Sequence, residues 1–287
     1  MSVTTPVVYE FDVNVTTTPQ SSPGTAAPIA GSNRLALLYL SFERASGGAG
    51  GQWFQSVEWA GVAATEVFRC QTPAEPSTLF RGGLAIWAIE EAAYPASAGT
   101  VVYTHDSANN GNDVHCALIQ VANAKQADLT RIATQLAASL NQVTSTAGWT
   151  HTDTTAADGA QAFCARMNGD KEILVPYSNG ETTIAECQDV EFTSIIANRA
   201  VATAGSYDIG LSFTNGGTLT NCVAWHLEYE SPVLPTSPVW EALDIGDGAY
   251  IRSTAPGAEA VVALDDPSPP ITTVTAGSVT VRHRLTP

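Results

Sequence analysis

The chain has 287 residues, of which 44% are hydrophobic and only 14% are charged, so it is long and apolar enough for one large β domain or two domains and is not a disordered chain. Its formal net charge is −16, and a surface this acidic repels phosphate groups, which argues against nucleic acid and anionic membranes as partners. No run reaches the roughly 18 apolar residues that a membrane-spanning helix needs, so no membrane insertion is expected.

The N-terminal region predicts one strand followed by an extended arm. Residues 7–15 alternate between apolar and polar side chains, which is typical of a strand, and residues 16–32 are rich in Thr, Pro, Ser and Gly. We therefore set residues 1–32 apart as an N-terminal strand and arm. The first six residues lack the basic and apolar regions of a secretory signal, which predicts folding in a cytoplasm.

Residues 33–230 predict the main domain. The run from Arg34 to Phe42 has apolar residues at both odd and even positions, which face opposite sides of a sheet, so it indicates a buried central strand. Leu84–Ile89 indicates another. Between them, residues 54–59 and 63–69 predict a hairpin that reverses at Ala60-Gly61.

One stretch occurs twice, at residues 96–121 and 202–229. In each copy an alternating strand follows an Ala-Gly motif, a turn rich in Asn and Gly comes next, and an apolar strand returns, so each copy predicts a β-hairpin. The matched pairs, all 106 residues apart, are Gly99 with Gly205, Asn109 with Asn215, Gly111 with Gly217, and Cys116 with Cys222.

The segment between the two copies begins with an ambiguous pattern. Apolar residues recur every three or four positions over residues 127–140, which fits either a short helix or a strand with a polar loop. Strands are predicted at residues 160–167, 181–187 and 194–202. The expected fold is all-β: an antiparallel two-sheet β-sandwich of the jelly-roll kind, built from the duplicated hairpin unit.

The C-terminal region predicts a linker and a small β segment. Residues 231–238 contain three prolines and indicate a Pro-rich linker, and residues 239–287 carry three short strand patterns, at residues 249–253, 258–264 and 278–284. A piece of this size buries little surface alone. It should pack on the main domain, join a partner chain, or continue into a further domain.

Cysteines and a polar loop are the first candidate sites. The five cysteines are odd in number and lie in apolar runs, which indicates small buried thiols, with a Cys164–Cys187 disulfide as the alternative. The loop from His105 to His115 holds two His and two Asp, but its spacing misses the EF-hand pattern and its repeat copy lacks these ligands. A solvated turn is expected there, with no metal and no cofactor.

Aromatic side chains are the remaining candidates. An exposed ring could stack on a sugar, and Trp53 and Trp149 are the residues that we single out for glycan binding. The alternative is that the six tryptophans serve as core residues. No nucleophile elbow, zinc motif or phosphate loop occurs, so the protein is not expected to be an enzyme, and no catalytic residue is assigned.

These stretches together resemble a known group of proteins. The run at residues 33–40, the Trp59-Ala60-Gly61-Val62 turn, the strand at residues 84–89 and the Ala-Gly motifs with their apolar closing strands are similar to β-sandwich proteins of tailed-phage virions. These are head fibres, capsid decorations, and tail or collar fibres. The segment at residues 246–253 resembles the opening of small sandwich modules in phage tail proteins.

The resemblance implies a non-enzymatic structural protein that decorates or projects from a virion assembled in the host cytoplasm. Its partners would be other virion proteins and further copies of itself, joined through the C-terminal segment. Related sandwiches occur in bacterial adhesins and sugar-binding modules. The alternative is therefore a carbohydrate- or host-receptor-binding module whose partner is a host surface glycan.

Overall fold

The computed structural model describes residues 2–15, 19–45, 54–71, 80–105, 112–142, 148–168, 174–176, 179–188, 193–213, 220–230, 240–245 and 248–253. These residues form antiparallel sheets and one α-helix, so the predicted all-β sandwich class is confirmed. Two compact units are present, Met1–Pro232 and Val233–Pro287.

The strands of the first half of unit 1 are β1 (Val7–Val15), β2 (Gln20–Ser21), β3 (Leu35–Ala45), β4 (Phe54–Trp59), β5 (Val62–Ala63), β6 (Thr65–Gln71), β7 (Phe80–Glu90), β8 (Val101–His105) and β9 (Asn112–Val121). A 3-10 turn, Glu91–Ala93, follows β7. The second half begins with helix α1 (Leu129–Ser139), which is one of the two structures that its sequence pattern allowed. Its strands are β10 (Trp149–Thr155), β11 (Ala160–Asn168), β12 (Leu174–Pro176), β13 (Thr182–Gln188), β14 (Thr193–Val201), β15 (Gly205–Phe213) and β16 (Thr220–Leu227).

Each half of unit 1 is a sandwich of two sheets. In the first half, a sheet ordered β1-β9-β3-β7-β6 faces a sheet ordered β2-β8-β4-β5 across a core that includes Leu38, Trp59 and Tyr103. In the second half, a sheet ordered β13-β14-β11-β16 faces a sheet ordered β10-β15-β12. Their core includes Cys164 and Ile209. The N-terminal strand β1 and the arm strand β2 both belong to the first sandwich.

The repeat extends well beyond the stretch visible in the sequence. The sheet order β9-β3-β7-β6 is matched by β16-β11-β14-β13, and β2-β8-β4 is matched by β10-β15-β12. Every strand of the second sandwich therefore has a counterpart at the same place in the first. The whole sandwich, and not only its last two strands, occurs twice in tandem.

The two arms of each repeated stretch do not pair with each other, which corrects the predicted hairpin. Strand β8 pairs with β2 and β4, whereas β9 pairs with β1 and β3 in the facing sheet. Likewise β15 and β16 lie in facing sheets. The chain crosses from one sheet to the facing sheet, whereas a hairpin would stay in one sheet. A crossing and a hairpin need the same alternating strands and the same turn residues, so the sequence pattern fits either.

The predicted reversal at Ala60-Gly61 is present. Ala60 and Gly61 have φ of 52° and 77°, and they join β4 to β5 in a tight hairpin. After Ala64 the chain leaves that sheet, and β6 pairs with β7 in the facing sheet. The predicted second arm is therefore divided between two sheets.

The glycine shared by both repeats has a different reason in each copy. A Cβ on Gly99 would lie 2.4 Å from the Cβ of Ala60, a distance that real Cβ atoms do not reach. Gly205 has open space around it, but its φ of +140° is strained for any residue with a side chain. The first sandwich therefore needs this glycine for close packing, and the second needs it for its backbone conformation.

The two sandwiches pack through their larger sheets, which we call the inner sheets. One continuous core joins the outward faces of these sheets and includes Leu37 and Tyr39 from β3 with Phe163 and Trp225 from β11 and β16. Unit 1 is thus four layers thick. This explains why β3 and β11 are buried on both faces, because each lies between two cores.

Contacts between the inner sheets follow the pattern of a two-fold dimer. Strand β7 packs on β11, and Tyr39 of β3 bonds to Ser194 of β14 through their hydroxyls, 3.1 Å apart. Strand β14 is the counterpart of β7, and β11 is the counterpart of β3. Exchanging the two halves therefore turns the β7–β11 contact into the β14–β3 contact. The duplicated halves therefore meet as identical subunits of an isologous dimer would.

Unit 2 is described in part. Strands β17 (Trp240–Ile245) and β18 (Gly248–Ser253) form a two-stranded antiparallel sheet, and β18 coincides with the first predicted tail strand. The predicted linker at 231–238 and the strands at 258–264 and 278–284 lie outside the described residues. Within the described part of the chain, no helix is long and apolar enough to cross a membrane.

Candidate functional site

The structure places one of the two candidate glycan-binding residues and leaves the other outside the described residues. Trp149 begins β10 and is 8% exposed, with its indole in the core of the second sandwich and stacked on His151 at 6.1 Å between ring centroids. An indole this deep offers little ring face to a sugar. Trp53 lies outside the described residues.

The other tryptophans whose side chains the structure describes are core residues. Trp59, Trp87 and Trp225 are all buried. The exposed large hydrophobic side chains among the described residues are Val7 and Val175, and both are aliphatic.

The polar loop between the two histidines is described only at its ends. His115 is fully buried on β9, with Nε2 3.5 Å from Oε2 of Glu10, and residues 106–111 lie outside the described residues. Over the described ranges, no group of three His, Cys, Asp or Glu side chains is arranged to hold a metal ion.

The cysteines are free thiols, so the alternative Cys164–Cys187 disulfide is not formed. Burial raises the pKa of Cys70 to about 12 and raises the pKa of Cys116 and Cys164 as well. These thiols therefore stay protonated at neutral pH and behave as small apolar side chains, not nucleophiles.

Helix α1 covers the edge of β16 that has no neighbouring strand among the described residues, and its polar side chains bond to the β16 backbone. Arg131, Gln135 and Ser139 are four residues apart and therefore lie on one face of the helix. Ser139 Oγ accepts the N–H of Ala224 and donates to its C=O, both at 2.8 Å. Gln135 Oε1 accepts the N–H of His226 at 3.3 Å, and Arg131 donates to its C=O at 3.4 Å.

These three helix side chains take the place of a neighbouring strand. In the first sandwich, the equivalent edge of β9 is paired with a real strand, β1. In the second, the helix satisfies the same kind of backbone groups with side chains. Such groups would otherwise be left unpaired at a buried edge.

Replacing Ser139 with alanine should lower the free energy of unfolding by about 1–3 kcal/mol, because it leaves the buried N–H and C=O of Ala224 without their partner. Urea unfolding measures the loss, and hydrogen exchange should quicken at the Ala224 amide. Thr134→Ala is the control, since its exposed hydroxyl bonds only the Thr130 carbonyl of its own helix. Equal effects of the two variants would contradict the edge-capping role.

A buried polar cluster lies directly beside this edge. His226 of β16 is 2% exposed and faces Asp153 of β10 and Tyr207 of β15, which belong to the outer sheet. Its Nδ1 is 2.8 Å from Oδ2 of Asp153, and its Nε2 is 2.6 Å from Nη1 of Arg131. The cluster therefore ties together both sheets of the second sandwich and the helix.

Donor and acceptor chemistry fixes the tautomer of His226. A guanidinium has only donors, so Nε2 must accept from Arg131, and the ring proton then sits on Nδ1 and is donated to Asp153. The Tyr207 hydroxyl donates to the same carboxylate oxygen at 3.2 Å. Gln135 lies against the ring, with Nε2 at 2.8 Å from Nδ1 and 3.1 Å from Nε2.

Hydrogen bonds keep Asp153 ionised within the cluster. Partial burial pushes the pKa of Asp153 up, but hydrogen bonds from His226, the Thr154 N–H and Tyr207 outweigh it and hold that pKa below its ordinary value. Burial and the Asp153 carboxylate raise the pKa of Tyr207, so the phenol stays protonated. Arg131 also pairs with Asp128.

A further carboxylate flanks the imidazole. Burial pushes the pKa of Glu228 up, but Arg131 and Lys125 outweigh it and hold that pKa below its ordinary value. Glu228 Oε1 lies 3.8 Å from Nε2 of His226, and its Oε2 lies 3.3 Å from Nζ of Lys125.

The His226–Asp153 pair has the parts of a catalytic dyad but not its geometry. A general base must offer Nε2 to a nucleophile or substrate, and here that nitrogen already accepts from Arg131. The side chains bonded to the imidazole among the described residues are Arg131, Gln135, Asp153 and Tyr207, and none is a serine, threonine or cysteine. The arrangement is suited to locking three elements together.

Sequence reasoning missed this cluster because its members come from a helix and three strands separated by long loops. One signal was present in the repeat. The 106-residue offset that aligns Cys116 with Cys222 also aligns Gln120 with His226. Gln120 is likewise buried and accepts from the Tyr94 hydroxyl at 2.6 Å, so a buried, hydrogen-bonded polar residue occupies the same place in both halves.

Fold and cluster together define the chain as a tandem β-sandwich protein with an internal structural repeat. Comparison with family models, curated proteins and solved structures gives no match for this chain.

Proposed function

We propose that this chain is a non-enzymatic structural protein on the surface of a tailed-phage virion, where it decorates or projects from the particle. The observation that carries the proposal is the four-layer block of unit 1, in which two copies of one sandwich share a continuous apolar core. Such a block supplies a rigid, self-supporting spacer. The resemblance of its strand and turn motifs to phage β-sandwich proteins points to the same class.

Surface charge and edge protection support this role. A net charge of −16 keeps a protein soluble at the high local concentration of a repeating particle surface. Covering the edge of β9 with β1 and that of β16 with α1 limits unwanted strand pairing between neighbours. We propose other virion proteins as partners and self-association through unit 2. The glycan-binding alternative needs an exposed aromatic face, and the four tryptophans whose side chains are described, Trp59, Trp87, Trp149 and Trp225, are buried.

The test is quantitative mass spectrometry of purified phage particles from the source lysate, with this chain counted against the major capsid protein. A copy number near that of the capsid protein supports lattice decoration, and a few copies per particle support a fibre, collar or tail position. Absence from purified particles would overturn the virion proposal.

A further inference from the structure

Among the described residues, strand β10 has a partner strand on one edge and none on the other. Its partner there is β15, paired over seven residues without a register shift. The N–H of Thr154 is bonded to its neighbour Asp153 Oδ1, and the N–H of Gly210, which lies opposite Thr150, points away to Glu181. In an antiparallel ladder, the backbone N–H and C=O groups of every second residue point toward the same neighbouring strand. The backbone groups of Thr150, Thr152 and Thr154 therefore face away from β15.

Other sheet edges of unit 1 are protected or short over the described residues. Strands β6 and β13 carry register shifts, β16 is capped by α1, and β2, β5 and β12 have only two or three residues. Strand β1 is long, but it carries the exposed carboxylates Glu10 and Asp12, and Glu10 accepts the Glu186 N–H of β13 at 2.9 Å. Charges and bulges of this kind discourage strand addition.

The sequence of β10 is complementary to itself when it is read in the opposite direction. Placing two copies antiparallel about Thr152 sets Thr152 opposite Thr152, Thr150 opposite Thr154, and His151 opposite Asp153. The threonines are exposed on the outer face, and His151 and Asp153 are half-buried on the other. Threonine pairs are favourable directly across strands, and an imidazole opposite a carboxylate can donate its N–H to it.

We propose that a second copy of this chain binds here, with β10 pairing antiparallel to β10 of its partner across a two-fold axis. The outer sheets of two molecules then form one continuous sheet. The Thr152 pair exchanges two backbone hydrogen bonds, and each Thr150–Thr154 pair adds the one donated by the Thr150 N–H, about four in all. The Thr154 N–H groups keep their bond to Asp153 Oδ1. The two-fold axis also places His151 of each copy beside Asp153 of the other, so this pair of side chains occurs twice.

This pairing does not depend on the virion proposal, and it is a different contact from self-association through unit 2. In the first sandwich the counterpart of β10 is β2, which has only two residues. The same edge there is too short for a comparable ladder. The second sandwich alone therefore presents this surface.

A charge pair of variants at His151 tests the proposal in the full-length chain. His151→Asp sets like charges opposite each other twice and should weaken self-association about tenfold or more, whereas His151→Lys sets opposite charges there and should retain it. Both variants lose the ring that stacks on Trp149, so that loss cancels when the two are compared. Sedimentation equilibrium over a range of protein concentrations measures both dissociation constants.

Thr152→Pro provides a second, independent variant. Proline is tolerated on an edge strand where its nitrogen faces solvent, but here it removes the central donors at the two-fold axis and should abolish the dimer. If this variant does not fold, the two His151 variants decide. Hydrogen exchange gives a direct readout, because the Thr150 and Thr152 amides should exchange more slowly as the wild-type dimer forms.

Three results would overturn the proposal. One is a wild-type chain that stays monomeric at every concentration. Another is an oligomer in which the Thr150 and Thr152 amides exchange rapidly throughout. The third is an equal dissociation constant for His151→Asp and His151→Lys.

Discussion

Trp225→Ala is expected to lower the free energy of unfolding by about 3–5 kcal/mol, a large share of the stability of an ordinary domain. Trp225 is 1% exposed, and its indole stacks on the ring of Phe163 with centroids 5.2 Å apart and planes inclined by 7°. It belongs to the core that joins the two inner sheets. The substitution would therefore leave a cavity where the two sandwiches meet. The surrounding strands can close that cavity only if both sandwiches shift.

Urea unfolding followed by far-ultraviolet circular dichroism measures this loss without relying on tryptophan fluorescence. Trp225→Phe is the matched control, because it keeps an aromatic ring against Phe163 and should cost less than the alanine variant. Val175→Ala, at a 45% exposed position, should change stability by no more than about 0.5 kcal/mol. A loss below about 1 kcal/mol for Trp225→Ala would show that the shared core does not hold unit 1 together.

Strand positions were predictable from the sequence because alternation is a local signal. The predicted strand at residues 7–15 has the bounds of β1, and the apolar run from Arg34 became β3, buried on both faces. The reversal at Ala60-Gly61 was also predictable. A tight two-residue hairpin turn needs backbone with positive φ, which glycine adopts readily and few other residues do.

Strand partners were not predictable in the same way. An alternating strand, an Asn- and Gly-rich turn and a returning strand fit a hairpin, and they fit equally a connection between two sheets. The choice depends on contacts far away in sequence, such as Tyr103 of β8 pairing with Gln20 of β2. Continuous apolarity in β3 indicated burial on both faces, but it did not reveal that the second face belongs to another copy of the same sandwich.

The polar cluster was harder still to predict, because no local pattern distinguishes a buried histidine with four partners from an unpartnered one. His226 lies in an apolar strand, and Asp153 lies in a threonine-rich strand more than seventy residues earlier. Only the alignment of Gln120 with His226 across the repeat marked the position as polar in both halves. Internal symmetry was therefore the one sequence signal that reached beyond strand positions.

His226→Leu is expected to lower the free energy of unfolding by about 1.5–3 kcal/mol at neutral pH, the cost of losing hydrogen bonds to the charged groups of Asp153 and Arg131. The substitution leaves the Asp153 carboxylate without the Nδ1–H and Arg131 without the acceptor at Nε2. His226→Gln is the control. Glutamine is the residue at the equivalent position, Gln120, and it can both donate and accept, so its loss should be smaller.

The pH dependence separates this network from simple packing. The folded chain holds the pKa of Asp153 below its ordinary value, so the carboxylate stabilises the fold at pH values above its unfolded pKa. That stabilisation is lost as pH falls through the folded pKa, because the carboxylate then protonates. The stability difference between wild type and His226→Leu should therefore be full near neutral pH and narrow below about pH 4. Urea unfolding at a series of pH values measures it. A difference that stays constant into acid would mean that His226 contributes by filling space and not by orienting Asp153.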